Sequence, residues 1–316
     1  MNRILRIGTR ESQLALWQAT QVREHLVAAG FAVELVPIRS EGDIDLHTPL
    51  YAMGVQGVFT RSLDSALLND RIDLAVHSMK DVPVQLPAGI VQAAVLERGP
   101  VHDVFIPHPG ETDINRIFQS ATDGQTSQPA TIATSSVRRI AQWLHRYPHH
   151  RIENLRGNVN TRLRKLSESD WQGAVFAAAG LARIDLLPAN HVVLDWMLPA
   201  PAQGAILVVC RETDTYCRSA CSSLNDSSTA LCTKVERDFL KALLGGCSTP
   251  ISALATIDNG YLQFSGNILS PDGKQIAAIK MNEPRHQSSD LGSRAAAQLL
   301  ENGGREILEI VRNASR

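Results

Sequence analysis

Short strand-like segments alternate with helix-like segments over the first hundred residues. The strand-like segments lie at 4–7, 33–38 and 72–76, and their apolar positions alternate with polar ones or run together briefly. The helix-like segments lie between them: one begins near Ser12 and stops at Gly30, and the other covers 59–69. This β-α-β-α order favours a mostly parallel sheet covered by helices on both faces.

A second α/β stretch follows Gly99-Pro100, which we interpret as a domain boundary. The polar run 110–129 predicts a loop with one helical turn. Beyond it, the pattern predicts a helix from Ser136 and strands at 131–134, 151–154 and 174–177. A cluster of helix and strand breakers at 198–201 precedes the apolar run 206–210. This run has no local partner, so we expect it to return to the first sheet.

The last part of the chain predicts a third region with its own strands. A helix is expected over 233–244, followed by strands that include 260–268. Pro271-Asp272-Gly273 then has the composition of a hairpin turn.

The composition is that of an ordinary globular chain, and it argues against two classes of partner. Of the 316 residues, 44% are hydrophobic and 20% are charged, and the formal net charge is −1. Because so small a charge gives little long-range attraction, we expect neither a nucleic-acid binder nor a membrane-surface binder. Arginines interrupt the first apolar run, so we expect no secretory signal. No segment reaches the roughly 20 apolar residues that span a bilayer.

The cysteines favour a reducing compartment. There are five, an odd count, and no Cys-x-x-Cys pair is present, so a disulfide framework is not expected. Cys217 and Cys221 lie one helical turn apart, but without a neighbouring histidine a metal site is the weaker interpretation. We therefore expect a cytoplasmic protein without a metal site.

Basic residues are concentrated between Thr131 and Lys165, where Glu153 is the only acid. They are Arg138, Arg139, Arg146, Arg151, Arg156, Arg162, Arg164 and Lys165. A solvated helix face is one interpretation, and nucleic-acid binding is a second, although aromatic platforms are sparse here. A polycarboxylate ligand is a third, because the planar guanidinium binds carboxylates bidentately and stays charged. The local pattern leaves all three open.

The run AVHSMKDVP (75–83) lies where a predicted strand ends. Open α/β sheets bind ligands at the carboxyl ends of their strands, so these side chains are well placed for a site. Lys80 offers a cation for substrate carboxylates, and Asp81 offers a carboxylate for proton transfer or for stabilising a cation. The alternative is a surface turn with an ordinary ion pair.

The run LGGCSTP (244–250) follows the predicted helix of the third region. Its two glycines leave the backbone open, so the thiol of Cys247 could meet a bulky partner closely. The alternative is a helix C-cap followed by a buried structural cysteine. A helix C-terminus does not favour a thiolate, so capture of a very reactive electrophile fits better than a strongly activated nucleophile.

Taken together, these motifs resemble the porphobilinogen deaminase family. Its signature after a first-domain strand is similar to HSMKDVP (77–83), and its two arginine motifs are similar to TSSVRR (134–139) and LRGNVNTR (155–162). Its opening is similar to GTR-x-S-x-LAL-x-Q (8–18), and the pattern around its cofactor cysteine is similar to Glu236-Arg237, Phe239 and GGC-x-x-P (245–250). The order and spacing agree from Arg6 to Pro250.

The resemblance implies a fold of three domains. The first two are expected to be paired α/β lobes like type II periplasmic binding proteins, and the third a small α+β domain that carries Cys247. We place the first lobe at 1–100 and 200–219, the second at 101–199, and the C-terminal domain at 220–316.

The resemblance also implies a transferase reaction of haem biosynthesis. Four porphobilinogen molecules would condense into hydroxymethylbilane, with loss of one ammonia at each step. A dipyrromethane, held by a thioether to Cys247, would prime the chain. Loss of ammonia leaves a cationic azafulvene, and we predict that Asp81 stabilises this cation and the pyrrole N–H groups and assists proton transfer.

The matching positions give a set of expected binding residues. The cofactor would be held by Cys247, Lys80, Asp81, Ser135, Arg138, Arg139, Arg156 and Gly157. The substrate would be held by Arg10, Gln18, Arg156, Arg162 and Arg183. Because each pyrrole carries two carboxylates, charge-assisted pairs with these arginines would offset the cost of desolvating them. We expect porphobilinogen as the small-molecule partner, a monomer, and no nucleic-acid or membrane binding.

Some positions depart from the usual pattern of the family, and two other classes of protein compete with it. Gln56 stands where lysine is common, Asn160 replaces a frequent glycine, and Pro201-Ala202 precedes Gln203-Gly204 where other residues are common.

A solute-binding protein would share the two-lobed fold, but Asp81 and Cys247 would have no function in it. A ligand-sensing regulator would bring a helix-turn-helix segment, and we find none in the sequence.

Overall fold

The computed structural model describes residues 3–39, 60–118, 129–243 and 249–314, and these residues form three sheets with associated helices. The strands are β1 Leu5–Thr9, β2 Val33–Pro37, β3 Leu74–Ser78, β4 Ile90–Val95, β5 Asp103–Pro107, β6 Thr131–Ala133, β7 Arg151–Glu153, β8 Gly173–Ala177, β9 Val192–Val193, β10 Ile206–Arg211, β11 Ile251–Asp258, β12 Tyr261–Leu269 and β13 Ile276–Pro284. The α-helices are Gln13–Ala28, Arg61–Leu68, Ile114–Phe118, Val137–Arg146, Val159–Ser167, Ala178–Ala182, Thr215–Ala220, Ser227–Ala242, Leu291–Leu299 and Arg305–Ala314. No helix in this described part is long and apolar enough to cross a membrane.

The first sheet has the strand order β2-β1-β3-β10-β4. The expected return of residues 206–210 to this sheet is confirmed, because β10 pairs with β3 on one side and with β4 on the other. The expectation of a mostly parallel sheet is confirmed for the strands of the first hundred residues, because β1 to β4 all run in one direction, and within this sheet β10 alone runs against them. Strand β1 is parallel to β2 and β3, whereas β10 is antiparallel to both of its neighbours. The reason is that β10 comes from a distant part of the chain and enters the sheet in the opposite direction.

The second sheet has the order β7-β6-β8-β5-β9. Strands β6, β7 and β8 and the helix after Ser136 lie where the sequence predicts them. Strands β5 and β9 were not predicted. Part of the polar run forms the helix Ile114–Phe118, and 119–128 lie outside the described residues.

The third sheet is an antiparallel meander, β11-β12-β13, with the helices Ser227–Ala242 and Leu291–Leu299 packed against it. The long helix begins six residues before the predicted start, because Asp226 caps it by accepting a hydrogen bond from the Thr229 backbone N–H at 2.6 Å. The predicted hairpin turn joins β12 to β13. Two α/β sheets followed by a small α+β region confirm the expected fold class, whereas the domain boundaries remain a prediction.

Segments from three parts of the fold meet at a buried carboxylate, Glu236. Both terminal guanidinium nitrogens of Arg98, Nη1 and Nη2, donate to it, at 2.6 and 2.9 Å. The backbone N–H groups of Ala202 and Ala255 also donate to it, at 2.6 and 2.7 Å. Arg98 and Ala202 belong to the two segments that run between the first and second sheets, and Ala255 belongs to β11. Glu236 therefore ties the third region to both crossing segments.

Candidate active site

Asp81 lies in a short turn that follows the buried strand β3. The turn Met79–Asp81 is a single 3₁₀ turn, and the side chains of Met79 and Val82 are buried. Asp81 itself is half-buried. Within the described part of the chain, its carboxylate accepts no hydrogen bond. The fold thus presents a carboxylate whose oxygens are available to a ligand.

The first lobe supplies two more expected residues beside Asp81. Arg10 follows β1, and Gln18 lies on the helix Gln13–Ala28, where its amide nitrogen donates to the Ser78 hydroxyl at 2.9 Å. Arg10, Gln18 and Asp81 all line one cavity of about 70 Å³. Burial, followed by the charge of Arg10, lowers the pKa of the neighbouring His77 to about 4, so this histidine is neutral near pH 7.

In the second lobe, Arg138 and Arg139 share the buried carboxylate of Asp103. An Arg138 Nη nitrogen lies 2.7 Å from one Asp103 oxygen, and Arg139 donates to the other oxygen at 2.7 and 3.1 Å. Burial would raise the pKa of Asp103, but the charges of Arg138, Arg139 and Lys80 hold it at about 2. Burial also lowers the pKa of Arg138. The Nε of Arg138 is buried and has no hydrogen-bond acceptor among the described residues.

A glycine turn after β7 brings Arg156 and Arg162 together. Arg156 is 3% exposed, and the next residue, Gly157, has φ +115°. A Cβ atom on Gly157 would lie 2.7 Å from the Thr161 methyl group, so a residue with a side chain would be strained there. The Gly157 carbonyl accepts a hydrogen bond from Arg162 Nε at 2.7 Å.

The charges on both lobes are close enough to act on one another. Burial, followed by the charges of Arg139, Arg156 and Arg10, lowers the pKa of Arg162 to about 10, and the charge of Asp81 opposes this shift. Together, the groups that act on Lys80 or on Arg162 form one cluster of six cations and two carboxylates with a net charge of +4, which we call the cleft; its members are Arg10, Lys80, Arg138, Arg139, Arg156, Arg162, Asp81 and Asp103. Such a cleft suits a ligand with several carboxylates.

The side chains of Ser135 and Arg183 make hydrogen bonds within the protein. The Ser135 hydroxyl donates to Asn154 Oδ1 at 2.6 Å and accepts from the Leu155 N–H at 2.9 Å, so it fixes the segment that leads to Arg156. Arg183 donates to the Gly204 carbonyl at 2.6 Å, and its guanidinium lies 5.7 Å from the centre of the Trp17 ring.

The basic concentration seen in the sequence separates into two groups. Arg138, Arg139, Arg156 and Arg162 belong to the cleft. Arg146 instead stacks over Trp196 at 5.0 Å, and Arg164 pairs with Glu168 on an exposed helix face at 2.6 Å. The solvated-face interpretation fits Arg164, whereas the ligand interpretation stays a prediction for the four cleft arginines.

Gln203 is a buried site residue that the sequence reasoning missed. Lys80 donates to its side-chain oxygen at 3.1 Å, and its side-chain nitrogen donates to Asp103 at 3.1 Å and to the Val101 carbonyl at 2.7 Å. Gln203 thus links the Lys80 turn to the carboxylate that holds Arg138 and Arg139. Burial is the largest influence on Lys80 and lowers its pKa to about 8. The signal available in the sequence was a polar residue inside the apolar segment before β10.

Two expected residues, Cys247 and Gln56, lie outside the described residues. The helix Ser227–Ala242, which precedes Cys247 in the chain, is fully described. Asn160, which departs from the family pattern, donates to Gln13 Oε1 at 2.9 Å and so joins the second lobe to the first.

The fold and the cleft define a class: a protein of two α/β lobes and a small α+β region, with a strongly cationic cleft around one accessible carboxylate. Two family models match the chain, the dipyrromethane cofactor binding domain of porphobilinogen deaminase over residues 5–219 and the porphobilinogen deaminase C-terminal domain over residues 230–301. The chain belongs to the porphobilinogen deaminase family.

Individual relatives agree with this assignment. The chain is 42% identical to a porphobilinogen deaminase of Syntrophotalea carbinolica, over 96% of this chain and 95% of that protein. It is 40% identical to one of Acidithiobacillus ferrooxidans, over 98% of this chain and 99% of that protein. Among solved structures, the VFT2 domain of Bordetella pertussis BvgS matches 70% of this chain and 85% of that domain, with 13% identity and a TM-score of 0.38.

Proposed function

We propose that this chain condenses four porphobilinogen molecules, head to tail, into hydroxymethylbilane and releases ammonia at each step. The observation that carries the proposal is the cluster of six cations and two carboxylates around the accessible Asp81. Every added pyrrole brings an acetate and a propionate, so the growing chain carries negative charges that pair with the positive charges of the cleft. Membership of the porphobilinogen deaminase family supports the same reaction.

The described residues fit a dipyrromethane cofactor bound through Cys247. The group carries four carboxylates, and the buried Nε of Arg138, which has no acceptor among the described residues, is a donor that a carboxylate would satisfy. The residues that would hold it are Lys80, Asp81, Ser135, Arg138, Arg139, Arg156 and Gly157. When bound, the cofactor supplies the free pyrrole α-carbon that starts the chain.

Asp81 is the catalytic residue of this proposal. Because no protein group in the described part of the chain donates to its carboxylate, it can accept hydrogen bonds from pyrrole N–H groups. Its negative charge then stabilises the cation that remains when porphobilinogen loses ammonia, and its oxygen can take the proton released on bond formation.

The remaining polar residues bind and orient the substrate carboxylates. Arg10 and Gln18 line the same cavity as Asp81. Arg162 is close enough to Asp81 for their charges to interact, and Arg156 is close enough to Arg162. Arg183, which follows the helix Ala178–Ala182 and donates to the Gly204 carbonyl, completes the proposed set. We further propose a monomeric, cytoplasmic enzyme with porphobilinogen as its partner.

The intact mass of the denatured protein tests the cofactor directly. We expect an excess equal to two linked pyrrole units, and we expect this excess to disappear in Cys247→Ser. A bare mass that stays bare after incubation with porphobilinogen would contradict the proposal.

Turnover of porphobilinogen tests the role of Asp81. Asp81→Ala should lose turnover while keeping its circular-dichroism spectrum and melting temperature. Unchanged turnover in that variant would exclude the proposed role, and it would favour a protein that binds its ligand without chemistry.

A further inference from the structure

Arg237, on the helix Ser227–Ala242, holds the turn that carries Asp81. Its Nη1 donates to the Val82 carbonyl at 3.0 Å and to the Met79 carbonyl at 3.3 Å, and its Nη2 donates to the Pro83 carbonyl at 2.6 Å. These carbonyls lie on both sides of Asp81 in the chain. One side chain of the third region therefore fixes the backbone of a turn that is more than 150 residues away in sequence.

The position of the Asp81 carboxylate depends on this backbone. In the described part of the chain no hydrogen bond holds the carboxylate itself, so the turn alone sets where it lies. On its other side the turn is held by the Met79 N–H, which donates to the Ala205 carbonyl at 3.0 Å. Loss of the Arg237 contacts would leave the Val82–Pro83 side of the turn without these anchors.

The helix that carries Arg237 is itself firmly placed. Glu236, the preceding residue, binds Arg98 and two backbone N–H groups, and Phe239 is completely buried in the core of the third region. The helix ends at Ala242, five residues before Cys247 in the sequence. The same rigid element thus anchors the Asp81 turn and leads to the cysteine.

We propose that Arg237 is a positioning residue that holds the Asp81 carboxylate in place for the reacting pyrrole. The inference rests on the proposed function of Asp81 and adds the residue that holds it in place. A guanidinium suits this task because its planar array of donors reaches three carbonyls in fixed directions, which a lysine ammonium cannot do.

Arg237→Lys is the primary test, because it keeps the charge and is the variant that least threatens folding. Misplacing a catalytic group by about 1 Å can cost on the order of 100-fold in rate, so we expect kcat to fall about 10- to 100-fold. The substrate-binding arginines are unchanged, so KM should stay within about twofold of the wild-type value.

Arg211 provides a matched control. It also donates to two backbone carbonyls, those of Leu67 and Ile72, at 2.8 and 2.7 Å, but these lie before the start of β3, away from Asp81. Arg211→Lys should therefore lower the melting temperature and leave kcat unchanged. If both variants lose activity only in proportion to their loss of folded protein, the role of Arg237 is structural and the proposal fails.

Chemical rescue separates positioning from general destabilisation. Millimolar guanidinium should restore part of the kcat of Arg237→Ala, because the ion can occupy the vacated place and donate to the same carbonyls. It should restore nothing in Asp81→Ala. Normal kcat in Arg237→Lys, with an active wild type and an inactive Asp81→Ala, would overturn this inference alone. A wild type without turnover would overturn the proposed function, and this inference with it.

Discussion

Replacing Glu236 by glutamine should destabilise the whole molecule, because one buried carboxylate joins three parts of the fold. The Glu236 side chain is fully buried and accepts four hydrogen bonds, two from Arg98 and one each from the Ala202 and Ala255 backbones. In the Glu236→Gln variant, the positive charge of Arg98 has no counter-ion. One carboxylate oxygen is also replaced by an NH2 group, which donates instead of accepting and faces another donor. Removing one partner of a buried ion pair costs about 3–5 kcal/mol, and an unsatisfied backbone N–H costs about 1–3 kcal/mol. Since these losses overlap, we expect a total of about 3–5 kcal/mol.

The assay is urea unfolding followed by circular dichroism, with Lys234→Met as the control. Lys234 pairs with Asp238 at 2.5 Å on the exposed face of the same helix, and such a pair contributes about 0.3–0.5 kcal/mol. The double variant Arg98→Met with Glu236→Gln should cost less than the two single variants added together, because no lone buried charge remains. A Glu236→Gln variant no less stable than Lys234→Met would refute the reasoning.

Three further predictions concern the cleft. Because burial lowers the pKa of Lys80 to about 8, raising the pH through this value removes a cation. KM for porphobilinogen should therefore rise between about pH 7 and 9, and this rise should vanish in Lys80→Arg, which stays charged. Gln203→Leu removes a hydrogen bond to the charged form of Lys80, so the midpoint of the same KM profile should move to lower pH. Gly157→Ala places a Cβ against Thr161 at a residue whose φ is +115°. Urea unfolding should show that the free energy of unfolding falls by about 1–3 kcal/mol. An unchanged free energy of unfolding would mean that the turn can relax.

The sequence predicts those parts of the molecule that depend on neighbouring residues. Strand β3 and its carboxyl-end turn with Lys80 and Asp81 follow from an apolar run and from the position of ligands in α/β sheets. Asp226, the N-cap of the helix that begins at Ser227, was also a local signal. The predicted start at 233 followed the apolar pattern and did not take this cap into account.

Contacts between distant residues could not be predicted in this way. Asp103 receives Arg138, Arg139 and Gln203 from positions at least 35 residues away in the chain, and no local pattern indicates that partnership. The antiparallel entry of β10 into the first sheet has the same origin, because its direction depends on where the second lobe returns the chain.

The two carboxylates of the cleft have opposite surroundings, and this difference divides their roles. Asp103 is fully buried, accepts hydrogen bonds from Arg139 and Gln203 and pairs with Arg138, and its pKa is held at about 2. It is therefore a permanent counter-ion that fixes the arginines. Asp81 is half-buried and accepts no hydrogen bond within the described part of the chain. In the proposed function, Asp81 engages a new pyrrole in every round of elongation and releases it afterwards, so its carboxylate has to remain free of hydrogen bonds from the protein. Its position must then come from the backbone around it, which is the part of the turn that Arg237 holds.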